Sequence, residues 1–149
     1  MCQVNDRRLV AALRCLLAVP GRRLFQYRDE EGAVRLVRAT DVNAFLREVS
    51  GRQISLKDFR TLVASADVLN TLATATPAES RRARRAQVRR AVEAAAETLA
   101  NTPAVCRTSY VHESVIAAFE RRALPQPVTG RRTVEDKALA LARVVARNR

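Results

Sequence analysis

Apolar residues recur at helical spacing in stretch after stretch of this chain, each stretch bracketed by start and stop signals, and that pattern confines it to a mainly helical fold. From Asp6 to Val19, Leu9, Val10, Leu13, Leu16 and Leu17 follow i, i+1, i+4, i+7, i+8, with Asp6 placed to cap the helix and Pro20-Gly21 to end it. Thr40 opens a second helix with Val42, Phe45, Leu46 and Val49 on one face and Ser50-Gly51 as its stop. Ser55 and Asp58 have capping-box spacing for a third, which carries Phe59, Leu62, Val63, Ala66, Leu69 and Leu72; the second and third helices are expected to pack into one core. Thr76-Pro77-Ala78-Glu79 supplies cap, proline and acid for a long fourth helix continued by Val88, Val92, Ala95, Ala96 and Leu99. After a connection at Asn101-Thr102-Pro103, Val111, Val115, Ile116 and Phe119 mark a helix beginning close to Tyr110. Thr133-Val134-Glu135-Asp136 opens a terminal helix with Leu141, Val144 and Val145.

One segment breaks the helical rhythm. Leu24–Tyr27 and Val34–Val37 flank Asp29-Glu30-Glu31-Gly32, an acidic turn ending in a glycine that tolerates positive φ, and predict a small β-hairpin. At 149 residues the chain is the size of one domain. The expected division is a body over 1–122, a linker over 123–132 that contains Pro125-Gln126-Pro127-Val128-Thr129-Gly130, and a terminal helix over 133–149.

The net charge of +12 and a pI near 11.3 suit a protein that approaches a polyanion and releases its counterions, so nucleic acid is the natural partner. Lys57 and Lys137 are the only lysines among 27 basic residues; the rest are arginines, which favour bidentate phosphate contacts. Arginine-rich coding would explain that choice of base but not the excess over 15 acids. Arg81, Arg82, Arg84, Arg85, Arg89 and Arg90 give the fourth helix either a solvated face or a phosphate-tracking one. Cys2, Cys15 and Cys106 are odd in number and lack C-x-x-C spacing, which argues against a disulfide framework and a zinc cluster; with His112 the single histidine, no metal centre is expected. No run of apolar residues is long enough to span a bilayer and the amino terminus lacks a secretory pattern, so a soluble, cytoplasmic protein is expected.

Two segments carry chemistry. In Lys57-Asp58-Phe59-Arg60-Thr61, Lys57 and Arg60 share a helix face and can grip one phosphate, although such pairs are common on solvated faces. The other runs from Leu99 to His112 and holds Asn101, Arg107 and Tyr110. Taken alone, Tyr110 reads as a partly buried core tyrosine. A phenol with a reference pKa of about 10 becomes a nucleophile at neutral pH only where cations and hydrogen bonds favour loss of its proton. A fixed guanidinium and an amide donor would stabilise the charge concentrated on phosphoryl oxygens in such an attack.

These two segments, with Asp41-Val42-Asn43-Ala44-Phe45-Leu46-Arg47-Glu48, resemble the corresponding stretches of the bacterial and poxvirus-like type IB DNA topoisomerases in order and separation, over about Asp6 to Phe119. The resemblance implies the carboxy-terminal part of a catalytic domain with the DNA breaking-rejoining fold. It also implies relaxation of supercoiled double-stranded DNA by a monomer, without ATP, metal or cofactor. By the same resemblance Tyr110 attacks a phosphodiester to form a 3′-phosphotyrosyl ester, Arg60 contacts the nonbridging oxygens, and Asn101 donates a hydrogen bond to the same phosphate. Lys57 and Arg107 fall at positions that imply DNA contacts.

The family also uses an earlier arginine and a β-hairpin lysine that protonates the 5′-oxygen, and neither has a counterpart here. The chain starts after the point where they would lie, which leads one to expect a catalytic domain truncated at its N-terminus and severely impaired turnover. General-acid assistance is typically worth about 10²–10⁴-fold. Leu62, Thr108 and Glu113 stand where relatives tend to carry an aromatic residue, a lysine and a proline. A tyrosine recombinase is the nearest other enzyme, given the nine-residue step from Asn101 to Tyr110 and Tyr110-Val111-His112, but it would carry histidine at both Lys57 and Asn101. A noncatalytic DNA-binding remnant and a poorly folding fragment are the remaining alternatives.

Overall fold

Seven helices and one two-stranded hairpin follow one another among the residues described by the computed structural model, 5–124 and 133–147. Their order is α1 (Arg7–Leu17), β1 (Gln26–Arg28), β2 (Val34–Leu36), α2 (Ala39–Ser50), α3 (Leu56–Ala73), α4 (Arg81–Thr98), α5 (Pro103–Ser109), α6 (Glu113–Glu120) and α7 (Val134–Ala146). The fold is thus mainly α with a small β-hairpin, as the sequence patterns require. It divides into two compact units, Met1–Leu56 and Lys57–Arg149. Cys2 and the linker stretch from Pro125 to Gly130 lie outside the described residues.

In the first unit, the Asp6 carboxylate accepts from the backbone N–H groups of Arg8 at 2.8 Å and Leu9 at 2.9 Å, which satisfies donors that the start of α1 leaves free. β1 and β2 pair antiparallel with Gln26 opposite Leu36, Tyr27 opposite Arg35 and Arg28 opposite Val34. Asp29 closes the turn between them, accepting from Ala33 N–H and from Arg35 Nε, each at 2.8 Å, while Gly32 takes φ +80°. The Arg35 hydrogen bond holds the Asp29 carboxyl below its ordinary value. Gln26 is buried and donates through Nε2 to the Val19 carbonyl at 2.9 Å; a Cβ at Gly21 would strike its amide.

Two expectations for this unit fail. α2 is capped at Arg38 rather than Thr40, because the Asp41 carboxylate reaches back to the Arg38 N–H at 2.7 Å, a charge-assisted bond that a threonine hydroxyl at position 40 does not displace. The expected core contribution of α2 is also missing: no residue of α1 or α2 is fully buried, none belongs to the buried cluster, and Phe45 is 59% and Val49 70% exposed.

The second unit holds the core. α3 contributes Ala64, Val68, Leu69 and Leu72; α4 contributes Val88, Ala91, Val92, Ala95 and Ala96; α6 contributes Val115, Ile116, Ala118 and Phe119; α7 contributes Leu141 and Val144. α4 packs against α5 and α6, and α6 against α7, with the alanines of α4 allowing close approach. Thr133 and Asp136 form the predicted capping box of α7, and Lys137 ties that helix to Asp67 of α3 at 3.1 Å.

α4 begins at Arg81 with Ser80 as its cap, later than the Thr76 start expected from the Thr-Pro-Ala-Glu pattern. Side chains from within the helix fold back and satisfy residues 76–79 as a loop. Gln87 donates to the Thr76 carbonyl at 2.8 Å and accepts from the Ala78 N–H at 3.0 Å, and Arg84 donates to the carbonyls of Ala78 and Glu79. The connection expected after Asn101 is itself a helix, α5, with Thr102 as cap and Pro103 in its first turn, so Tyr110 follows α5 and α6 opens only at Glu113.

Cys106 of α5 is fully buried, and burial pushes its thiol above the ordinary value, opposed by the Arg60 charge; Cys15 is exposed. Iodoacetamide at neutral pH is therefore expected to alkylate Cys15 in the folded protein and Cys106 only after denaturant is added. Peptide mass mapping checks this, and equal labelling of the two in the native state would refute the buried placement.

Candidate active site

The end of α4 sets the first part of the site. Ala100 turns into the left-handed region at φ 50°, and around it Asn101 N–H donates to the Ala96 carbonyl at 2.9 Å and Ala100 N–H to the Glu97 carbonyl at 3.1 Å. This is the double closure of a Schellman turn, here with alanine in the usual glycine position. It places Asn101, half-buried, immediately before the Thr102 cap of α5.

Arg60, one turn into α3, occupies the space beside that turn. Its Nη2 donates to the Leu99 carbonyl at 3.0 Å, and its guanidinium carbon lies 4.9 Å from the centroid of the Tyr110 ring. Its Nε is buried and has no hydrogen-bond partner among the described residues. A guanidinium over an aromatic face gains about 0.5–2 kcal/mol, whereas a buried donor left unmade costs about 1–3 kcal/mol. The stack and the carbonyl bond hold Arg60 in place while its Nε stays without an acceptor.

Tyr110 is the C-cap of α5, with its N–H on the Cys106 carbonyl at 3.0 Å; His112 caps α6 through Nδ1, which accepts from Ser114 N–H at 3.2 Å. The tyrosine thus sits in a turn between two short helices. Ser65, fully buried on α3, donates to the Tyr110 carbonyl and accepts from the His112 N–H, both at 2.9 Å. Sequence reasoning missed Ser65. Its one signal was a polar residue next to Ala64 and Ala66 within an otherwise apolar stretch of α3.

Of the residues singled out from sequence, Arg60, Tyr110 and the turn bearing Asn101 come together. Lys57 lies on the same helix, one turn before Arg60, and is exposed. Arg107 on α5 pairs with Glu113 of α6, Nη2 to Oε2 at 2.9 Å; at such exposure the pair is worth about 0–1 kcal/mol and yields readily to another anion. Among the described residues, no group of three or more His, Cys, Asp or Glu side chains could hold a metal, and no helix is long and apolar enough to cross a membrane.

Residues 8–126 match the family described as eukaryotic DNA topoisomerase I, catalytic core. The chain belongs to the DNA topoisomerase I family. A DNA topoisomerase 1B of Acanthamoeba polyphaga mimivirus is 28% identical over 118 residues, covering 74% of this chain and 35% of the viral protein. The chain therefore spans about a third of the length of that curated relative. The matched region takes in Lys57, Arg60, Asn101, Arg107 and Tyr110. The family matched is DNA topoisomerase I rather than a tyrosine recombinase family, and the relative named above is viral rather than bacterial.

Proposed function

We propose that this chain cuts and reseals one strand of double-stranded DNA through Tyr110, the reaction by which a type IB topoisomerase relaxes supercoils without ATP or metal. The observation that carries the reading is Arg60: a guanidinium held 4.9 Å from the Tyr110 ring centroid with a buried N–H still lacking an acceptor. A phosphodiester placed there meets nucleophile and cation together. The Tyr110 oxygen forms a bond to phosphorus as its proton leaves, the bond from phosphorus to the 5′-oxygen breaks, and the departing 5′-hydroxyl takes up a proton. The product is a 3′-phosphotyrosyl diester, close in energy to the bond it replaces, so the reverse attack reseals the strand.

Negative charge concentrates on the nonbridging oxygens as phosphorus becomes five-coordinate. Arg60 is fixed before the reaction by Leu99 and the ring, so it stabilises that charge without reorganising. Asn101 supplies an amide donor from the adjacent turn. Lys57 and Arg107 hold the flanking phosphate backbone, Arg107 by exchanging Glu113 for phosphate. A polypeptide of these 149 residues alone has only Lys57 and Lys137 as lysines, neither at the family's general-acid position, so its turnover is expected to be slower by about 10²–10⁴-fold than that of a complete site.

The test is prolonged incubation with a nicked suicide duplex, followed by a denaturing gel and peptide mapping. A covalent adduct with the phosphate on Tyr110 is the expected result. Salt-sensitive duplex binding with no adduct would overturn the reading in favour of a noncatalytic DNA-binding protein.

A further inference from the structure

Ser65 is a hydroxyl in the wettest sense only by composition; in the fold it has no contact with solvent at all. Burying a hydroxyl is unfavourable unless both its donor and acceptor capacities are used. Here they are used on two backbone groups of the same turn, the carbonyl of Tyr110 and the N–H of His112. Neither group has a helical partner of its own. Tyr110 lies past the last turn of α5, where carbonyls go unpaired, and His112 precedes the first turn of α6, where N–H groups do.

The placement along α3 gives this clamp its meaning. Ser65 stands five residues after Arg60 on one continuous helix, a rise of about 7.5 Å along a rigid rod. Arg60 meets the Tyr110 ring from that helix, and Ser65 grips the Tyr110 backbone from the same helix. Ring and main chain of the tyrosine are therefore both referenced to α3. Without the second grip, the turn between α5 and α6 can shift while the guanidinium stays in place.

We propose that Ser65 is a positioning residue for strand cleavage: by bridging Tyr110 and His112 it sets the tyrosine at a fixed distance from Arg60. The role rests on Tyr110 being the nucleophile, as proposed above. In-line attack is sensitive to small errors of placement, and a misplacement of about 1 Å can cost about 10²-fold in rate. Ser65→Ala removes both hydrogen bonds with almost no change of volume, whereas Ser65→Thr keeps the hydroxyl.

The experiment compares single-turnover adduct formation on the suicide duplex for wild type, Ser65→Ala, Ser65→Thr and Leu141→Ala, the last lying on α7 as a control for lost stability. Duplex affinity, unfolding midpoint and amide exchange at His112 are measured on the same full chains. The expected result is that Ser65→Ala loses about 10–10²-fold in cleavage rate, binds duplex as wild type does and exchanges its His112 amide faster, while Ser65→Thr restores most of the rate. A Ser65→Ala chain that cleaves at the wild-type rate overturns the role, as does one that loses no more than Leu141→Ala at equal fraction folded. Unchanged exchange at His112 overturns the clamp itself, whatever the activity. A wild-type chain that forms no adduct overturns the nucleophile assignment and this role with it, an outcome told apart from the others because it appears before any substitution is made.

Discussion

Tyr110→Phe is expected to abolish the covalent adduct, and Arg60→Ala to slow its formation by about 10²–10³-fold with duplex binding little changed. The two substitutions isolate different atoms. Phenylalanine keeps the ring under the Arg60 guanidinium and keeps the backbone bonds of the α5–α6 turn, so what disappears is the oxygen alone. Alanine at position 60 removes the cation and its N–H donors, and also leaves the Leu99 carbonyl without its charged partner. Arg60→Lys should recover only a fraction of the loss, because an ammonium carries the charge but not the planar fork that can hold Leu99 and a phosphate at once. Single-turnover rates on the suicide duplex decide the matter. A Tyr110→Phe chain that still forms adduct would move the nucleophile elsewhere, and an Arg60→Ala chain within a fewfold of wild type would strip Arg60 of its assigned part.

The largest effect on stability is expected at Phe119, where substitution by alanine should cost about 3–5 kcal/mol. Phe119 is fully buried in a cluster drawn from α3, α4, α5, α6 and α7. α6, from Glu113 to Glu120, is too short to persist without tertiary contacts, so this side chain holds the helix as well as filling space. Urea unfolding followed by circular dichroism measures the change, and a loss below about 1 kcal/mol would show that the core collapses around the gap.

Helix stripes were legible from sequence wherever a helix is long enough to repeat its pattern. The stripes read for α4, α6 and α7 fall on residues of the core, whereas that of α3 is right only in its second half: Leu69 and Leu72 lie in the core, but Phe59 and Val63 are exposed and Ala64 and Val68 are the residues buried instead. The starts were less so, because a cap is chosen by competition. Ser80 wins over Thr76 since Gln87 and Arg84, a helical turn or two onward, satisfy the intervening loop, and Asp41 draws the start of α2 back to Arg38. α5 escaped because its seven residues cannot display a period, although its Thr102 cap and Pro103 were in plain view. The site divides in the same way. Arg60, Asn101 and Tyr110 sit in short contiguous segments whose likeness to a family can be read directly, whereas Ser65 acts through backbone groups 45 and 47 residues away, and a serine beside alanines carries no mark of that.

The turn at Ala100 ties the length of α4 to the site. Every peptide group from Leu99 to Asn101 has a fixed task there: the Leu99 carbonyl faces Arg60, and the three N–H groups close onto Ala95, Glu97 and Ala96. One residue inserted anywhere in α4 would swing that carbonyl about 100° around the helix axis and carry it about 1.5 Å onward, out of reach of the guanidinium. An exchange of one exposed side chain for another on α4 leaves this geometry alone, whereas a residue added or removed close to Thr98 changes where the helix ends and with it the place of the Leu99 carbonyl.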